Sequence, residues 1–221
     1  MSSQKESKAK MTEHNALLLA DVADYYSGKL AEHGANARGV DWNGEASQVL
    51  RFQQLCTLMD EGGPFSVTDL GCGYGALYSY LKANFANVSY FGIDVSAAMI
   101  EAASQRFEND GEARFLVSNA PDVVADYGVA SGIFNVRMGR SDDEWGRYLE
   151  STLDVLDRTS RLGFSFNCLT SYADPDKMRD DLYYADPCRL FDLCKRRYSR
   201  HVALLHDYGL YEFTIIVRKA P

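Results

Sequence analysis

Val67-Thr68-Asp69-Leu70-Gly71-Cys72-Gly73-Tyr74-Gly75 is an apolar strand that runs into three glycines, each one residue from the next. The helix-forming run Ala76-Leu77-Tyr78-Ser79-Tyr80-Leu81 follows it. Glycines belong where a backbone must turn sharply and where a ligand must touch the main chain. A second apolar strand, Phe91-Gly92-Ile93-Asp94, ends in a carboxylate. It lies about 20 residues beyond the loop, the separation of a βαβ unit whose acid grips a ribose.

Outward from this unit, strand and helix alternate. The pattern predicts strands at 66–70, 88–94, 113–118, 127–135, 161–169, 200–206 and 211–218, and helices at 75–84, 96–108, 142–158 and 187–197. Such alternation implies a parallel sheet with helices on both faces. Asp207-Tyr208-Gly209-Leu210 is too short for a crossover, so the last two strands must pair antiparallel. The expected fold is therefore α/β and Rossmann-like: a seven-stranded, mostly parallel sheet ending in an antiparallel hairpin. Ahead of it, residues 12–62 read as a helical lid. Its first helix runs from Thr12 as N-cap to about His33, and its second from Glu45 to Asp60. Residues 1–11 read as a disordered polar tail, and 63–221 as the ligand-binding catalytic domain.

The chain has 221 residues, enough for one α/β domain with a substantial core, and a formal charge of -8. With a pI near 5.0 it lacks the basic face that a nucleic-acid partner needs. Five cysteines, an odd number with no Cys-x-x-Cys pair, point to a reducing, cytoplasmic setting without a disulfide frame or zinc site. No apolar run approaches membrane-spanning length. No His/Asp/Glu cluster has metal-ligand spacing, so no metal is expected.

Asp69-Leu70-Gly71-Cys72-Gly73-Tyr74-Gly75 resembles motif I of the class I S-adenosylmethionine (SAM) methyltransferases. The resemblance continues at Gly92-Ile93-Asp94-Val95-Ser96, at Met99-Ile100-Glu101-Ala102-Ala103 and at Asp126–Asn135, in that order, over roughly residues 64–170. It implies SAM as cofactor. Gly71, Cys72 and Gly73 would present main chain to its methionine and ribose parts, and Asp94, with Val95 beside it, would accept from the ribose hydroxyls. The alternative for Asp94 is a cap on the following helix. Met99 would pack under adenine, or serve only as core. Asn119-Ala120 stands where relatives usually carry Asp-Ala for the adenine amino group; the amide keeps the acceptor and loses the charge. Asp69 is expected to hold loop amides or to reach the methionine amine. Arg51 could meet the methionine carboxylate, or form an ion pair instead.

The reacting end is less marked. Asn135, read as the residue after the fourth strand, is not in the Asn/Asp-Pro-Pro-Tyr context of amino-directed methyltransferases. Tyr25-Tyr26, Trp42, Tyr172 and Tyr183-Tyr184 fall in segments expected to overhang the site, and aromatic faces attract a sulfonium; of the tyrosines, Tyr172 and Tyr25 stand out. Asn135, Tyr172 and Tyr25 are therefore the candidate catalytic residues, with Trp42 on the cofactor. A chain with no separate recognition domain suits a small-molecule acceptor. Two other activities stay open: a SAM-cyclising lyase of the azetidine-2-carboxylate synthase type, releasing methylthioadenosine, and a SAM-binding module without chemistry.

Overall fold

In the computed structural model residues 16–60 and 62–219 are described with their side chains; α1 (Ser2–His33) begins ahead of them. The tail expected over 1–11 and the Thr12 cap lie outside those residues. Strands β1 (Phe65–Leu70), β2 (Val88–Asp94), β3 (Ala113–Val117), β4 (Ala125–Ala130), β5 (Ser160–Thr170), β7 (His201–Leu205) and β8 (Glu212–Arg218) form one sheet, in the order β3-β2-β1-β4-β5-β8-β7. The first five are parallel, and β8 is antiparallel to both β5 and β7. This is the expected Rossmann-like plan. An eighth strand, β6 (Tyr184–Ala185), adds to the end of β5. Two residues are too few to leave a period in the sequence.

The remaining helices are α2 (Glu45–Cys56), α3 (Ala76–Asn84), α4 (Ala97–Arg106), α5 (Asp142–Thr159) and α6 (Pro187–Arg197). Local chemistry sets their starts. Ser96 caps α4 through the Met99 amide, Ser141 and Glu144 close a capping box on α5, and Asp186 caps α6 ahead of Pro187. Along α5, Trp145, Leu149, Leu153 and Leu156 repeat at helical spacing and are buried against Phe164 and Phe166 of β5. A second core on the other sheet face joins Leu55 of α2 to Leu77 and Leu81 of α3.

Two departures from expectation bear on the site. The fourth strand was expected over 127–135 but ends at Ala130. Gly132 takes φ +76, and its N–H leaves the ladder to donate to Asn167 Oδ1 at 2.7 Å. Ser131, not Asn135, is therefore the residue at the carboxyl end of that strand. Further, Ser118–Val124 joins β3 to β4 without a helix. α1 fills the space left on that face: Leu18, Leu19 and Val22 pack into the core beneath α5, and Ser27 Oγ lies 2.9 Å from Ser96 Oγ.

Candidate active site

The strand order reverses at β1, with β2 on one side and β4 on the other, and open α/β sheets bind ligands at such a point beyond the carboxyl ends. A cavity of about 630 Å³ opens there. Asp69 and Gly71 of the first strand end, Asp94 of the second and Ser131 of the fourth all line it. Lid residues Tyr26, Val40, Trp42 and Gln48 form the opposite wall.

The glycine loop is built around Asp94. Gly73, at φ +54, donates its N–H to Asp94 Oδ2 at 2.9 Å, and Ser96 N donates to Oδ1 at 2.9 Å. The carboxylate thus fixes the loop, while Ser96 is the residue that caps α4. A carboxylate has about four lone-pair sites, so acceptor capacity remains toward the cavity. Burial raises the Asp94 pKa, and these backbone N–H groups oppose the shift. Met99 is buried and lines the cavity with Val95, Asn119 and Ala120. Cys72 lines it too, and burial pushes its thiol well above the ordinary range, so it stays protonated and unreactive.

Asp69 is 2% exposed. Its Oδ2 accepts from the Tyr90 hydroxyl at 2.5 Å, and its Oδ1 has no partner. Burial pushes its pKa up to about 7, the Tyr90 hydroxyl opposes this, and Asp94 adds to it. Ser131 Oγ is likewise without a partner. Orphaned buried polar atoms are rare in folded chains. Two of them on neighbouring strand ends of one cavity fit an amine-bearing ligand. The residues present thus fit SAM: an acid for the ribose, a glycine loop that lines the cavity, and an acceptor for the amine.

Other expected residues lie elsewhere. Arg51 is buried and turned away from the cavity; its Nε donates to both Glu212 oxygens, at 2.9 and 2.8 Å. Gln48, one turn earlier on α2, lines the wall instead and accepts from the Tyr74 hydroxyl at 3.1 Å. Asn135 ties the scaffold together, its Oδ1 accepting from Leu169 N and its carbonyl from Tyr183 N. Tyr172 is 69% exposed and packs near His206. Tyr25 donates to Asp41 Oδ2 at 2.9 Å, which leaves Tyr26 to line the cavity. Trp42 lines the cavity.

Sequence reasoning passed over Tyr148 and Ser131, and of the Tyr25-Tyr26 pair it chose Tyr25. Tyr148 of α5 lines the cavity, and burial pushes its pKa up to about 12. Burial raises Tyr26 as well, so both phenols are hydrogen-bond donors at neutral pH rather than bases. The helical period of α1 could have separated Tyr26 from Tyr25 only with the helix phase in hand. Among the described residues no group of three or more His, Cys, Asp or Glu could hold a metal, and no helix is long and apolar enough to cross a membrane.

A methyltransferase-domain family model matches residues 67–159. The methyltransferase-family protein Rv1506c of Mycobacterium tuberculosis H37Rv is 63% identical over 163 residues, 74% of this chain and 98% of that protein. Among solved structures, magnesium protoporphyrin IX methyltransferase of Synechocystis PCC 6803, with bound SAM, superimposes with a TM-score of 0.64 at 15% identity, covering 90% of this chain and 96% of that one. The 1,6-didemethyltoxoflavin-N1-methyltransferase of Burkholderia thailandensis, with 1,6-didemethyltoxoflavin and S-adenosylhomocysteine bound, gives 0.61 at 18% identity, covering 95% and 90%. At these identities the likeness to the solved structures is one of fold.

Proposed function

The chain belongs to the class I SAM-dependent methyltransferase superfamily, and we propose that it transfers the methyl group of SAM to a small-molecule acceptor, leaving S-adenosylhomocysteine. One observation carries the cofactor's orientation: the orphaned Oδ1 of Asp69 and the loop-fixing Asp94 share one cavity. The Asp94 carboxylate accepts from the ribose hydroxyls. Met99, Asn119 and Ala120 take the adenine. Asp69 and Ser131 accept from the methionine ammonium.

SAM supplies an electrophilic methyl on a cationic sulfur. The chain's own work is to orient and to exclude water. A nucleophile must approach in line with the methyl at near-contact distance, and fixed geometry of this kind lowers the barrier strongly. The apolar lid wall of Val40, Trp42 and Tyr26 closes the cavity, and Tyr26 and Tyr148 offer hydroxyl donors. Among the described residues the lid wall of Tyr26, Val40, Trp42 and Gln48 carries no carboxylate or imidazole, and burial keeps the Tyr26 phenol protonated at neutral pH. The two solved relatives above act on small molecules, which agrees with an acceptor of that size.

Incubation of the pure protein with SAM, alone and with a panel of small phenols, amines and thiols, tests this by mass spectrometry. S-adenosylhomocysteine formed only with an acceptor supports methyl transfer. Methylthioadenosine formed from SAM alone would mean cyclisation, and binding without turnover across the panel would mean a module.

A further inference from the structure

A closed circuit of buried contacts runs behind the cavity wall. Gly132 N donates to Asn167 Oδ1 at 2.7 Å, and Asn167 Nδ2 donates to Glu212 Oε2 at 2.9 Å. Glu212 is paired with Arg51, whose guanidinium stacks on the Trp42 ring at 3.8 Å. The circuit returns to its start because Trp42 packs on Gly132: a Cβ there would lie 2.4 Å from Trp42 Cζ2. Arg51 and Glu212 are 6% and 2% exposed. A buried ion pair is seldom the most stable filling for a core, so its retention calls for a positional reason.

We propose that Trp42 recognises the positive sulfur of the cofactor, and that Arg51, Glu212 and Asn167 are positioning residues that hold its indole against the Gly132 turn. Trp42 lines the cavity, and Gly132 follows directly on Ser131 at the end of β4. An indole is the best aromatic partner for a cation. Glu212 offsets the Arg51 charge, which reduces the repulsion that the stacked guanidinium exerts on a second cation. The circuit also spans the lid, β5, β8 and the β4 turn, so the ring is placed only when all four are packed. This inference rests on the SAM reading above.

The test compares SAM with S-adenosylhomocysteine, which share every group except the methyl and its charge. Equilibrium titration of the full chain with each ligand gives an affinity ratio. Trp42→Leu should weaken SAM about tenfold more than S-adenosylhomocysteine, and Trp42→Phe should restore most of the loss. Glu212→Gln should reduce the same ratio by releasing the indole. If that variant does not fold, Asn167→Ser is measured in its place. An unchanged ratio in Trp42→Leu overturns the recognition role. A ratio preserved in a folded Glu212→Gln or Asn167→Ser protein overturns the positioning role. Failure of the native protein to bind either ligand would instead sink the SAM reading itself.

Discussion

Replacing Asp69 with asparagine tests the site through two opposite effects. In the folded chain the Asp69 carboxyl titrates near 7, against an ordinary value of 3.8. Between those values the folded state keeps a proton that the unfolded state has lost. Stability must therefore fall as pH rises through that window and level off above 7. Each unit is worth about 1.4 kcal/mol and the group is half titrated at the upper end, so the rise from about pH 5 to about pH 7 should cost the ligand-free protein on the order of 2 kcal/mol. The amide of the Asp69→Asn variant cannot ionise, and its oxygen can still accept from Tyr90. The stability advantage of Asp69→Asn over the native protein should widen by that amount across the same interval, measured by urea denaturation at each pH. Binding moves the other way. Only the ionised carboxylate can accept a charge-assisted bond from the ligand's ammonium, so S-adenosylhomocysteine affinity should rise as pH approaches 7. At about pH 7.5 Asp69→Asn should lower it roughly 10- to 150-fold, the worth of one hydrogen bond to a charged group. Methylthioadenosine lacks the amino-acid arm and should bind both proteins alike by calorimetry. If Asp69→Asn weakened both ligands equally, the assignment of Oδ1 to the amine would be refuted; stability flat between pH 5 and pH 7 would refute the raised pKa of Asp69.

Asp94→Ala should weaken S-adenosylhomocysteine at least tenfold, because both the ribose acceptor and the anchor of Gly73 N are lost; calorimetry showing native affinity would remove the ribose from that strand end. Gly132→Ala forces a side chain at φ +76 into the Trp42 ring, so it should cost about 1–3 kcal/mol in denaturant unfolding, and a neutral result would mean that the lid packs differently. Tyr172→Phe should leave turnover within about twofold, since the ring lies outside the cavity. Tyr26→Phe should slow turnover with the acceptor found by the panel, whereas Tyr25→Phe should act only through its lid bond to Asp41; equal rates in the two would show that the phase of α1 had been misjudged.

The cofactor half of the site was legible because it is local. Asp69 to Gly75 and Asp94 to Met99 are short runs in which each residue's task follows from its neighbours: a turn at Gly73, a carboxylate at a strand end, a cap at Ser96. Alternating strands and helices likewise gave the sheet and its terminal antiparallel pair. The reacting half was misread where a fit depends on residues far apart in the chain. Apolar residues resume at Ile133 and Phe134, so Ser131-Gly132 reads as a brief interruption of the strand; the turn is fixed only when Asn167, 35 residues on, takes the Gly132 amide. For Arg51 the sequence left a ligand carboxylate and an ion pair both open, and only the fold brings Glu212, 161 residues away, against it.

Sequence alone thus determined the βαβ unit and the acids and glycines at its strand ends, because backbone turns and strand-end positions are set over a few residues. Tertiary structure alone decided which of the tyrosines face the cavity: Tyr26 rather than Tyr25 lines it, and Tyr172 does not, through helix phase and lid packing. Those depend on contacts whose partners are distant in the chain and carry no local signature.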